Sequence, residues 1–267
     1  MIGEDILDLG CQAALVTGAG QGAGRAIALM LARHGAGGVA VNDFVLERAE
    51  AVAEEIRALG VKAAAVQADV SDLESVRAMA AKATAELGPI TILVNNAGMA
   101  GPTSQLRPRH LFWDEDPAEW GKYLGTNLYG VFNCCHALLP GMVEAQRGRI
   151  VTITSDAGRA GEPRQAVYSA AKAGAAGFVR SIAKEGGRFG ITCNAIALSS
   201  LEFPMSEEER ENFYQLDQIK AQLSRYIIRR YGKPDEVAAL TLFLCSDTAG
   251  WITGQTYPLN GGYTLAV

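Results

Sequence analysis

Seven short aliphatic runs recur along this chain, and longer stretches with the apolar spacing of a helix lie between them. The runs cover residues 12–17, 39–43, 61–67, 90–95, 149–154, 191–196 and 255–259. Their near-continuous apolar character suits strands covered on both faces, as in a parallel sheet. Helices of ten or more residues are expected to begin near Gly22, Leu46, Asp72, Pro117, Arg164 and Pro234. Ser71-Asp-Leu-Glu74 and Ser206-Glu-Glu-Glu209 have the spacing of capping boxes. Pro140 is expected to kink or end the helix that starts near Pro117. Strand and helix in alternation predict an α/β fold, a single Rossmann-type doubly wound parallel sheet of seven strands with helices on both faces. No repeat or linker divides the 267 residues, so one domain is expected over 1–267.

Two stretches break the rhythm. Residues 98–116 hold Pro102, Arg107, Pro108, Arg109 and His110, and residues 198–232 hold an acidic helix followed by a basic run from Arg225 to Lys233. Excursions of this length at the carboxyl edge of a sheet form lids or binding walls, so both are expected to be substrate loops.

Composition narrows the function classes. The longest uninterrupted apolar run, residues 26–32, is far shorter than the ~18 residues of a membrane span, and no membrane partner is expected. Met-Ile-Gly-Glu-Asp at the start is acidic where a secretory signal is basic. Cys11, Cys134, Cys135, Cys193 and Cys245 are odd in number and show no Cys-x-x-Cys spacing, and only three histidines are present. Neither a disulfide framework nor a metal site is expected, and a cytoplasmic location follows. Cys134 and Cys135, about 100° apart on a helix, read as small core residues. A net charge of −5 argues against nucleic acid as a partner.

The chemistry-bearing residues sit at the ends of the predicted strands. Thr17-Gly-Ala-Gly-Gln-Gly-Ala-Gly24 joins the first strand to the first helix, where Gly18, Gly22 and Gly24 would let the backbone turn tightly and approach a pyrophosphate at the helix N-terminus, with Gln21 and Ala23 also expected at the cofactor. Asp43 ends the second strand, 19 residues after Gly24, where a carboxylate accepts both hydroxyls of an adenosine ribose and repels a 2′-phosphate. Phe44 rather than arginine follows it, so NAD is favoured over NADP. Asp69 and Val70 could meet the adenine edge and face, and Asn95-Asn96-Ala97-Gly98 places small residues beside the cofactor. Tyr168-Ser-Ala-Ala-Lys172 puts a phenol and an ammonium on one helical face. Ser155, 13 residues before Tyr168, ends the fifth strand at the same carboxyl edge.

This ordered set, with Asn127 and the later Gly232-Lys-Pro-Asp-Glu-Val, Ile252-Thr-Gly-Gln and Gly261-Gly262, resembles the short-chain dehydrogenase/reductase family from about residue 12 to 262. The resemblance implies strand order 3-2-1-4-5-6-7 and hydride transfer between a nicotinamide and a secondary alcohol or ketone. It implies Asn127, Ser155, Tyr168 and Lys172 as the catalytic set, with Tyr168 and Lys172 also touching the cofactor. A free tyrosine, with a pKa near ~10, is a poor base at neutral pH. A neighbouring Lys172 ammonium and an oxidised nicotinamide would lower it, so that Tyr168 exchanges the alcohol proton. Ser155 would position the substrate oxygen, and Asn127 would hold a water linking Lys172 to solvent.

The pattern is not matched everywhere. The family has Pro-Gly after the sixth strand and a threonine four residues beyond that glycine. Leu198-Ser199 and Phe203 stand there instead, and Ser199 or Ser200 is expected to take over the nicotinamide contacts. Ala23 stands where isoleucine is preferred. Ala166, Ala170, Ala173, Gly174, Ala176 and Gly177 make the Tyr168 helix small-faced, and the resemblance makes its partner a neighbouring subunit of a homotetramer.

The leading expectation is an NAD-dependent dehydrogenase or ketone reductase acting on a 3-hydroxyacyl thioester or an alicyclic or steroid-like alcohol. The alternatives are an NADPH-dependent oxoacyl-thioester reductase and a non-catalytic dinucleotide-binding protein. Arg107, Arg109 and His110, or Arg225, Arg229, Arg230 and Lys233, could grip coenzyme A phosphates or simply face solvent.

Overall fold

Every side chain along Ala13–Val16 is buried, and the same holds for Gly38–Asp43 and Ile90–Asn95. Alternate residues of such strands point to opposite faces, so apolar layers must cover both. The computed structural model, which describes residues 5–99, 110–203 and 205–265, shows how. Strands β1 (Ala13–Val16), β2 (Gly38–Asp43), β3 (Lys62–Gln67), β4 (Ile90–Asn95), β5 (Gly148–Ser155), β6 (Ile191–Leu198) and β7 (Thr256–Leu259) form one sheet. Its order is β3-β2-β1-β4-β5-β6-β7, with every pairing parallel. The expected architecture and strand order are borne out.

Helices α1 (Gly22–Arg33), α2 (Leu46–Ala58) and α3 (Leu73–Leu87) connect the first four strands. Then come α4 (Trp120–Leu124), α5 (Gly130–Glu144), α6 (Ala157–Ala160), α7 (Ala166–Gly186), α8 (Glu207–Gln215), α9 (Asp217–Leu223) and α10 (Pro234–Cys245). On one face Ile27, Val52, Ile56 and Leu242 from α1, α2 and α10 pack over Val16, Val41 and Ile92. On the other, Met79, Leu138, Met142 and Val179 from α3, α5 and α7 pack over Leu15, Leu93 and Ile150. The one-residue offset between Leu15 and Val16 is why the strands read as unbroken apolar runs.

Several local expectations need correction. The cap of α3 is Asp72, whose carboxylate accepts the Glu74 N–H at 3.0 Å, and not Ser71. Ser71 instead donates its hydroxyl to Asp69 at 2.7 Å, closing a local turn. The Ser206–Glu209 box is present with both bonds. Pro140 neither ends nor breaks α5, which continues to Glu144. Pro140 and His136, four residues earlier, are both exposed, so the ladder bond that Pro140 cannot make is missing on the outer side of the helix. The segment from Pro117 is not one regular helix. A 3₁₀ turn Pro117–Glu119, α4, and a π turn Gly125–Tyr129 precede α5. Arg164 lies outside α7 because its φ of 63° is left-handed.

Cys134, Cys135, Cys193 and Cys245 are buried free thiols. Burial raises all four, Cys135 and Cys245 to about 12, against ~8.5 for an unfolded thiol. The unfolded chain therefore releases these protons first as pH rises. This stabilisation is complete below about pH 8.5 and is lost progressively toward pH ~12. Lys172, lowered by burial to about 8, works in the opposite sense as one group against four. The thermal midpoint is expected to fall between about pH 9 and pH 11, and Cys245→Ala to soften the fall. A midpoint that holds or rises across that window would contradict this.

Candidate active site

At β1 the sheet reverses its winding, with β2 on one side and β4 on the other, and a crevice opens beyond the carboxyl ends of these strands. A cavity of about 440 Å³ lies there. Gly18, Gln21, Gly22, Ala23, Asp43, Phe44, Asp69, Val70, Asn96, Ala97 and Gly98 all line it, so the structure brings together most of the residues expected around a cofactor. Tyr168, Lys172 and Ser199 are not among its lining residues.

The turn after β1 is held by side chains from its neighbours. Thr17 Oγ1 accepts the N–H groups of Asn96 and Ala97, both at 3.0 Å. Asn96 Nδ2 donates back to the carbonyls of Thr17 and Gly18 at 2.9 and 3.0 Å. Gly18 has a φ of 59°, and a Cβ there would meet the Ala97 Cα at 2.9 Å, so no other residue fits. Asn42, fully buried, donates to the Val66 and Ala68 carbonyls and accepts the Gly18 N–H, tying the ends of β1, β2 and β3 together. Asp43 accepts the Gly20 and Val45 N–H groups, each at 3.0 Å. These bonds hold its carboxylate against the glycine-rich turn.

The residues around a reacting centre come from β5, the π turn and α7. Ser155 ends β5 and its Oγ accepts the Ala157 N–H at 3.2 Å, leaving its own proton to donate. A Cβ on Gly158 would lie 2.8 Å from the backbone of Lys172 and Ala173, so the turn after Ser155 rests directly on α7. Lys172 is buried, its Nζ donating to the Ile153 carbonyl at 2.9 Å and lying 5.9 Å from the centre of the Tyr168 ring. Burial pulls its ammonium down to about 8. Asn127 is fully buried within the π turn, where its Nδ2 donates to the Met99 and Tyr123 carbonyls and its Oδ1 accepts the Met99 N–H. A side-chain carbon on Gly98 would lie 3.2 Å from Asn127 Oδ1 and 3.3 Å from Lys172 Nζ, so these two polar groups converge on the same turn.

A family model described as enoyl-(acyl carrier protein) reductase matches residues 18–264. The chain belongs to the short-chain dehydrogenase/reductase family. It is 40% identical to 3-oxoacyl-(acyl-carrier-protein) reductase of Staphylococcus aureus, over 94% of this chain and 97% of that one. It is also 40% identical to nodulation protein G of Azospirillum brasilense, over 93% and 96%. Among solved structures, a gluconate 5-dehydrogenase from Burkholderia cenocepacia in complex with NADP and tartrate matches with a TM-score of 0.86. The two share 31% identity over 98% of this chain and 99% of that one.

As a short-chain dehydrogenase/reductase the protein is an oxidoreductase that binds a nicotinamide dinucleotide. Its crevice fits that group. Gln21, which precedes α1, provides no side-chain cap, which leaves N–H groups of the first turn for a pyrophosphate.

Reading the sequence missed Asn42, Arg48, Ala68 and Thr126 in the cavity wall. Asn42 gave a signal, an amide near the end of a buried strand. Arg48 gave none, because it reaches the crevice from the first turn of α2 and not from the position after Asp43. Arg107 and Arg109 lie outside the described residues, as do Pro102 and Pro108. Arg230 makes two hydrogen bonds to Glu236, at 2.9 and 2.6 Å, and Arg225 stacks over the Tyr263 ring at 4.5 Å. Both basic groups have partners within the chain. Among the described residues there is no cluster that could hold a metal ion and no helix long and apolar enough to cross a membrane.

Proposed function

We propose that this chain is an NAD(H)-dependent dehydrogenase or ketone reductase whose substrates are 3-hydroxyacyl or 3-oxoacyl thioesters. The observation that carries the cofactor choice is Asp43. It is buried at the end of β2 with its carboxylate fixed by two backbone N–H groups, and it lines the cavity that would hold the adenosine. A 2′-phosphate placed against it would set anion against anion. The thioester class rests on the resemblance to 3-oxoacyl-(acyl-carrier-protein) reductase.

The bound nicotinamide supplies the hydride acceptor or donor. Tyr168 takes the alcohol proton, or gives one to the ketone in the reverse direction. Lys172 favours the phenolate through its charge, and Ser155 holds the substrate oxygen with the proton that Ala157 does not engage. Asn127, beside Lys172 at the Gly98 turn, serves the path by which a proton reaches solvent. Residues 1–267 act as one dinucleotide-binding domain, with 98–116 and 198–232 as the substrate loops. The exposed small residues Ala166, Ala170, Ala173 and Gly174 on α7 suit packing against a second copy in a homotetramer. The buried reduced thiols suit the cytoplasm.

An NADPH-dependent reductase is the second reading, favoured by Arg48. It lines the cavity beside Asp43, where a guanidinium can meet a phosphate. Titration with NADH and NADPH separates the two. NADH is expected to bind tighter, and Asp43→Ala is expected to weaken NADH by about tenfold or more with little loss of NADPH. Tighter NADPH binding by the unaltered protein would establish the second reading.

A further inference from the structure

The segment after β6 has an anchor that comes from outside the family motifs. We infer that Tyr226 is a positioning residue for the nicotinamide half of the dinucleotide, acting through Ser199 and Ser200. This rests on the reading above that the crevice holds such a dinucleotide.

Tyr226 follows α9 and is 3% exposed. Its phenol oxygen accepts the Ser200 N–H at 3.3 Å and shares a 2.6 Å hydrogen bond with Ser199 Oγ. Ser200 is held a second time, because its Oγ accepts from Gln222 Nε2 at 3.1 Å and Gln222 Oε1 accepts from the Tyr231 phenol at 2.7 Å. The base of the excursion is closed by the Leu201–Gly232 bridge and the Gly232 N–H bonded to the Ser200 carbonyl at 3.1 Å. The Tyr226 ring also lies 5.0 Å from that of Tyr263, whose phenol donates to Glu162 at 3.0 Å in the loop between α6 and α7. One phenol is thus braced on the segment after Ser155 while it fixes the segment after β6.

That segment is where the nicotinamide must fall. Asp43 marks the adenosine end at β2, and the glycine-rich turn places the pyrophosphate at β1. A dinucleotide laid along the carboxyl edge therefore reaches the ends of β4, β5 and β6 with its other half. Leu198 is in register with Ser155 across β5 and β6, and Ser199 is the next residue. A proline after β6 would restrict the backbone through its ring. Here two serines with free rotation occupy that stretch, and hydrogen bonds from the lid supply the restriction. Both serine hydroxyls are engaged by lid side chains. What Tyr226 delivers to the cofactor is accordingly a fixed main-chain path through residues 199 and 200.

The test compares NADH with ADP-ribose, which keeps the adenosine and pyrophosphate and lacks the nicotinamide. Tyr226→Phe retains the ring and removes only the oxygen. It is expected to raise the NADH dissociation constant by about tenfold, the loss of one or two buried hydrogen bonds, and to leave ADP-ribose unchanged. Ser199→Ala, which leaves Tyr226 in place should the first variant fold poorly, is expected to act in the same direction. The double variant should be no worse than Tyr226→Phe alone. Equal weakening of both ligands, or no change in NADH binding, would overturn the role of Tyr226. An unaltered protein that binds neither NADH, NADPH nor ADP-ribose would instead overturn the reading of the crevice.

Discussion

Replacing Tyr168 by phenylalanine is expected to lower kcat by about 10²- to 10⁴-fold, the contribution of a positioned proton-transfer group, while the dinucleotide dissociation constant stays within about twofold. The asymmetry follows from where Tyr168 sits. The cavity proposed to hold the adenosine and pyrophosphate is walled mainly by the ends of β1 to β4 and the turns that follow them, with Arg48 of α2 and Thr126 of the π turn. Tyr168 stands on α7, beyond β5, and its ring is not part of that wall. Removing one oxygen leaves the ring to fill its space, so binding survives and only the proton has no carrier. Steady-state kinetics with a 3-oxoacyl thioester, set beside NADH fluorescence titration, read both quantities. Turnover retained at the original rate would remove Tyr168 from the reaction and favour the non-catalytic alternative.

Lys172→Met should produce the opposite pairing of effects, a more stable protein that no longer turns over. The ammonium is buried and its pKa is pulled down to about 8 by burial. The folded state therefore carries a charge at neutral pH that the unfolded chain holds more readily in water. A depression of that size corresponds to a few kcal/mol against folding below pH 8, relieved as pH rises through ~8 toward the unfolded value near ~10.4. Methionine fills a similar volume without charge. It also abandons the 2.9 Å bond to the Ile153 carbonyl, which offsets part of the gain. The net expectation is a gain on the order of 1 kcal/mol in denaturant unfolding at pH 7, with kcat down by at least ~10²-fold. The unaltered protein should gain stability from this group above pH 8, and the methionine variant should lack that gain. A variant that is both destabilised and active would mean that Lys172 serves packing alone.

How much of this was legible in the residues depends on how local the cause is. The strand order and the two covered faces follow from unbroken apolar runs such as residues 90–95, together with the family resemblance. The place of Asp43 in the crevice was legible from a carboxylate at the end of a buried strand, although its bonds to two backbone N–H groups give it a structural role as well. Arg48 was not. Its approach to the crevice depends on how α2 leaves the end of β2, and nothing in its immediate neighbours encodes that. The Ser71 cap was misread because two capping residues stand side by side, and the turn made by Asp69 decides between them by engaging the serine hydroxyl. That Pro140 would not end its helix was not legible, because its cost depends on whether that side of the helix faces solvent, which is a tertiary fact. The Tyr226 anchor lies 27 residues from Ser199, so only the folded lid brings the two together.

The π turn at Gly125–Tyr129 also decides how this stretch of chain is phased. One additional residue in a helical turn rotates everything beyond it by about 100°. The segment can therefore point Asn127, within the turn, at Met99 and still aim Cys134, Cys135 and Leu138 beyond it at the sheet. A regular helix of the same composition would have to give up one of those directions. Losing a single codon from this turn would leave a smoother helix with better backbone geometry and either a misplaced amide or a core face turned to water. In this family member the irregularity works as a spacer.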